Sequence, residues 1–103
     1  MTSTREQYLN KAAELTAGDR DVSYGEPYHN LTNIARLWTA YLIGRYGEFY
    51  MDNVELTAED VAWLNVLQKM ARTFSSKATP DNYIDAACYS AIAGECAGKE
   101  EQI

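Results

Sequence analysis

The chain has 103 residues, 47% hydrophobic and 23% charged, enough for one small domain with a core. A formal charge of −6 argues against non-specific binding to nucleic-acid phosphates and permits a basic protein partner. Residues 1–7 carry no apolar signal region and the longest apolar-rich run, 34–43, is too short to span a bilayer, so the chain reads as cytoplasmic with no membrane partner.

Ser3 or Thr4 opens a first helix, with Glu6 three residues after Ser3 as a capping-box partner. Tyr8, Ala12 and Leu15 mark its inner face, with Leu9 beside them, and Gly18 is the expected stop. Residues 19–26 form a loop that feeds Pro27, which suits the first position of a helix. The second helix runs from about Tyr28 to Ile43 and ends at Gly44. Leu31, Ile34, Ala35, Trp38, Tyr41 and Leu42 stripe it, and no Asp or Glu falls between Tyr28 and Arg45.

Residues 45–56 read as either a small hairpin about Asp52-Asn53 or a longer inserted loop. Either form projects Tyr46, Phe49 and Tyr50 as a candidate interface. Thr57 caps a third helix. Val61, Leu64, Leu67, Ala71 and Phe74 make one apolar stripe, and Trp63, Val66 and Met70 make a second. So apolar a helix is expected at the centre, packed on two sides, with Asn65, Lys69 and Arg72 as its one polar line. Thr79 and Pro80 open a fourth helix made thin by Ala86, Ala87, Ala91, Ala93 and Gly94, with a frayed tail over 98–103. Cys88 and Cys96, eight residues or ~12 Å apart on one helix, cannot pair within it and read as reduced core residues. The whole is expected to be a single all-α, compact four-helix domain.

Lys69 and Arg72 should lie close to Asp81 and Asp85, which are one turn apart. This constellation reads as a phosphate or nucleotide site, where the carboxylates could also hold a metal, or as an ion-pair network that fixes two helices in register. Tyr24-Gly25 and Asn30 are further candidate ligand contacts. His29, the single histidine, has only Glu26 nearby as an orienting carboxylate, and reads as a capping or surface residue. Nothing is assigned as catalytic.

Gly18-Asp19-Arg20, Tyr24-Gly25, Asn30, Ile34-Ala35-Arg36-Leu37-Trp38, Tyr41-Leu42, Thr57-Ala58-Glu59-Asp60-Val61, Lys69-Met70-Ala71-Arg72 and Asp81 to Ala87 resemble a family of short uncharacterised phage and prophage all-α proteins. The Tyr-Gly, Lys-x-x-Arg and Asp-x-x-x-Asp series is more distantly similar to the phage nucleotide-modification-associated domain and to MazG-like nucleotide pyrophosphohydrolases, which use Mg²⁺. Those enzymes carry carboxylates on a helix that here has none, so the resemblance implies the helical fold and a nucleotide-sized pocket, not the catalytic residues.

The resemblance implies a phage-type accessory protein in the cytoplasm of an infected or lysogenic bacterium. It would act by binding a nucleotide-derived ligand or a host defence protein. The alternatives are a divergent Mg²⁺-dependent hydrolase using Asp81, Asp85 and Lys69, and a structural homo-oligomeric module.

Overall fold

The computed structural model describes residues 4–17, 26–47, 54–75 and 79–101. They form four helices: α1 (Arg5–Thr16), α2 (Pro27–Tyr46), α3 (Ala58–Ser75) and α4 (Pro80–Glu101). The fold is all-α. Among the described residues there is no strand, and residues 48–53 of the expected hairpin or loop lie outside them.

The helix ends follow from local hydrogen bonding. At α1 the Thr4 hydroxyl accepts the Gln7 N–H at 3.2 Å, and the Gln7 amide oxygen accepts the Thr4 N–H at 2.7 Å. The capping box is thus Thr4 with Gln7, the same spacing set one residue beyond the expected Ser3–Glu6 pair. At α2, Pro27 takes the first position and the Glu26 carboxylate accepts the His29 N–H at 3.3 Å. Gly44 does not end α2. A glycine weakens a helix without stopping it; the stop comes where the backbone needs positive φ. That residue is Gly47, at φ 83°, whose N–H donates to the Ile43 carbonyl at 2.7 Å. Thr57 and Asp60 cap α3 reciprocally, at 2.9 and 3.2 Å. The fourth helix continues through Gly98 to Glu101, although 98–103 was expected to fray. Lys99 and Glu100 hold that end, through Glu26 and the Glu59 N–H respectively.

The central helix is α4, not α3, because α4 touches all three others. Its small residues allow this: Cys88, Ala93 and Cys96 are fully buried, and Ile84 nearly so. Lys69 meets Asp85 and the Glu59 N–H meets the Glu100 carboxylate, so α3 and α4 run antiparallel. The α1 helix lies along the first half of α4, where Tyr8 stacks edge-on with Tyr83 at 5.8 Å and the Ala12 carbonyl accepts from Cys88 Sγ at 3.5 Å.

Two small cores result. One joins Leu31, Ala35, Ala58, Val61, Ala62, Ala93 and Cys96; the other joins Ala12, Ile84 and Cys88. The largest fully buried side chains are only Val61, Cys88 and Cys96. The domain measures 52 × 35 × 23 Å, so its thinnest direction is about two helix diameters. No described helix is long and apolar enough to cross a membrane.

Candidate functional site

The charged constellation is assembled in part. Lys69 Nζ lies 3.4 Å from Asp85 Oδ2, with the side chains 14% and 23% exposed. Arg72 is exposed in the last turn of α3, and Asp81 is exposed in the first turn of α4. Chemically, the Lys69–Asp85 pair locks α3 to α4. It also presents an ammonium that an incoming phosphate could take from its carboxylate. Among the described residues, no group of three His, Cys, Asp or Glu side chains is placed to hold a metal.

Asn30 sits on another helix, exposed in the first turn of α2, where its N–H donates to the Glu26 carbonyl at 3.1 Å. Tyr46, the final residue of α2, is exposed. Tyr24, Phe49 and Tyr50 lie outside the described residues.

A second charged group was not foreseen. Lys99, near the end of α4, contacts the Glu26 carboxylate, lies 3.5 Å from Glu95 and sits 5.7 Å from the centre of the Tyr28 ring. Burial pushes the Glu26 carboxyl up, but the Lys99 hydrogen bond and the Tyr28 and His29 N–H groups outweigh it and hold it below its ordinary value. The Glu26 hydrogen bond, against a smaller desolvation effect, raises Lys99. Burial, then the nearby charges of Glu100, Glu26 and Glu95, push the Cys96 thiol up to about 11. The i, i+4 spacing of Glu95 and Lys99 was the available sequence signal, but the partner is 73 residues away.

The most unusual surface is apolar. On α3, Lys69 reaches Asp85, so at least this part of the polar line lies against α4, while Asn65 donates within its own helix to the Val61 carbonyl. Trp63, Leu64, Leu67, Met70 and Phe74, expected in the core, are exposed, with Leu67 at 53% and Phe74 at 79%. On α2 every buried residue lies in the first half. Beyond Ala35 the helix exposes Leu37 (71%), Tyr41 (64%) and, less fully, Trp38. Its other flank forms an open groove of about 370 Å³ with residues 54–56, lined by Arg36, Thr39, Ala40, Ile43, Val54, Glu55 and Leu56.

Residues 7–97 match the family model described as "Domain of unknown function (DUF6378)". The chain belongs to this family. The DUF6378 match takes in Lys69, Asp85 and both exposed apolar faces; Lys99 lies just beyond it. The chain is similar to the Gene 55 protein of Mycobacterium phage L5, with 36% identity over 84 residues, covering 82% of this chain and 48% of that protein. It is also similar to the Gene 55 protein of Mycobacterium phage D29, with 33% identity over 85 residues, covering 82% of this chain and 50% of that protein. The chain therefore spans about half the length of these curated relatives. Both are phage proteins, in agreement with the phage-type family read from the sequence. No solved structure matches the chain.

Proposed function

We propose that this phage-family protein acts by binding rather than by catalysis, and that its ligand is a host protein held on the outer face of α2. One observation carries the reading. Leu37, Trp38, Tyr41 and Arg45 fall at i, i+1, i+4 and i+8, on one exposed face of the half-helix that contributes no buried residue to the domain. Trp, Tyr and Arg are the residue types that dominate interface energetics, because each offers a large contact area with a polar or charged tip. The face is locally cationic within an acidic chain: Arg45 lies on it and α2 has no carboxylate. It therefore suits a partner with an apolar pocket and an acidic rim. Inhibition of a host defence protein is one use of such a contact.

The test is a photo-crosslinker placed at Tyr41 of the chain expressed in bacterial host cells, with the adduct identified by mass spectrometry and the pair then reconstituted. Trp38→Ala should weaken the reconstituted pair by at least about 2 kcal/mol, as expected of a hot-spot residue. Unchanged affinity would refute the assignment.

The Lys69–Asp85 pair favours a second reading. A nucleotide-derived ligand would place a phosphate on Lys69 and Arg72 in place of Asp85, with Asp81 as a further candidate contact; Asn30 lies toward the Lys99 end of α4, away from this pair. In the hydrolase version, Asp81 and Asp85 would hold Mg²⁺, and Asp85→Asn would abolish turnover in a folded protein.

A further inference from the structure

We propose that the outer face of α3 is the interface of a homodimer, formed by a second copy of this chain laid antiparallel along the same helix. This interface is separate from the host-protein contact proposed on α2.

The α3 helix is inverted. A surface helix of a soluble domain turns its large apolar side chains to the core and its polar line to water. In α3 the buried side consists of Ala58, Val61 and Ala62, continued by Asn65 and Lys69. The opposite side carries Trp63, Leu67, Met70 and Phe74 at i, i+4, i+7 and i+11, with Leu64 beside them, all exposed. That spacing is the seam of a helix pair. The domain keeps alanines and cysteines inside and leaves its largest apolar residues outside.

The area suffices for a dimer. Aromatic side chains bring on the order of 200 Å² each, and leucine and methionine somewhat less. About half of that is exposed here, so five of them offer on the order of 500 Å² per copy, and on the order of 1,000 Å² for the pair. That reaches the lower bound of a specific interface before any flanking residue is counted.

The charge pattern selects the occupant. Two copies, each at −6, repel unless they meet on a neutral strip. From Trp63 to Phe74 the stripe holds no charged residue, because Lys69 and Arg72 lie off it. The nearest charge is Glu59 in the first turn of α3, whose carboxylate accepts from Trp63 Nε1 at 3.0 Å, so an antiparallel pair sets the two Glu59 groups at opposite ends of the contact rather than against each other. A two-fold dimer, in which the same patch serves both copies, is also the commonest form of closed assembly.

The test is sedimentation of the full chain across concentration, with Leu67→Glu and Leu67→Lys variants. Leu67 lies near the middle of the stripe, so the two-fold axis brings the substituted positions together. The wild type should sediment at twice its 11.6 kDa protomer mass. Each variant alone should lose at least about 100-fold in dimer affinity through burial of unpaired like charge. An equimolar mixture of the two should recover the dimer. A wild type still monomeric at about 100 µM overturns the proposal, as do dimers that persist in the single variants, or a mixture no tighter than either variant alone. Trp38→Ala should leave the dimer unchanged, so failure of the α2 reading is seen separately.

Discussion

Lys69 of α3 and Asp85 of α4 form an ion pair at 3.4 Å on the inner side of α3, with both side chains largely shielded. The pair fixes the rotation of α3 about its own axis. With Lys69 turned to α4, Leu67 and Met70 must turn away, since residues two or one apart on a helix face different directions.

Breaking the pair should therefore destabilise the domain. Lys69→Ala or Asp85→Ala should each cost about 1–2 kcal/mol, less than a fully buried pair because solvent reaches both groups. In a domain of this size that lowers the thermal midpoint by roughly 4–8 °C per kcal/mol. The double variant should be less destabilised than the sum of the singles, and simple additivity would show that the two side chains are not coupled.

The Glu26–Lys99 contact gives a pH signature. Glu26 titrates below its ordinary value of 4.5 in the folded chain, so its stabilisation is complete above that value and is lost as pH falls through the lower, folded one. Lys99 titrates above its ordinary value of 10.5, so its contribution holds below that and is lost as pH rises through the higher, folded value. Thermal midpoints of wild type and Lys99→Met should differ by a constant amount between these limits and converge outside them. A difference that varies steadily across neutral pH would contradict the assignment.

Two glycines should respond in opposite directions to alanine. Gly47 holds φ 83° and an added Cβ would meet nothing within 4 Å, so Gly47→Ala carries only backbone strain, about 1–2 kcal/mol. Gly44 is helical and equally open, so Gly44→Ala should stabilise by about 0.5–1 kcal/mol. Chemical denaturation of the two variants checks both signs.

Nucleotides separate the two readings of Lys69. If the chain binds a host protein through α2, nucleoside triphosphates and cyclic nucleotides should leave the thermal midpoint unmoved, with or without Mg²⁺ or Mn²⁺. A native-state ligand at a hundredfold excess over its dissociation constant would add about 2.7 kcal/mol, which such a screen detects. A shift lost in Lys69→Ala but kept in Trp38→Ala would assign a phosphate site to the α3–α4 pair.

Much of the fold was legible in the sequence. Thr57, Pro27 and Pro80 marked three helix starts, and apolar spacing gave the four helices. The Lys69–Asp85 approach followed from joining α3 to α4. What failed was the placement of Leu64, Leu67, Met70 and Phe74 in the core. Periodicity shows that a face is apolar, but not which neighbour covers it, and α3 has two candidate faces of unequal bulk. The smaller face, Ala58, Val61 and Ala62, packs inside because it lets α3 approach a thin α4 closely. The Glu26–Lys99 contact was hidden for a related reason: its partners are far apart in sequence and meet only once α4 runs past Gly98.

On this assignment the two exposed apolar faces have different occupants: a second copy on α3 and a host protein on α2. Hydroxyl-radical footprinting of the purified chain at dimer-forming concentration reads both faces at once. Trp63, Met70 and Phe74 should oxidise slowly, and faster on dilution, beside fast oxidation of Trp38 and Tyr41 at every concentration. Equal reactivity of the two sets, unchanged on dilution, would contradict the assignment.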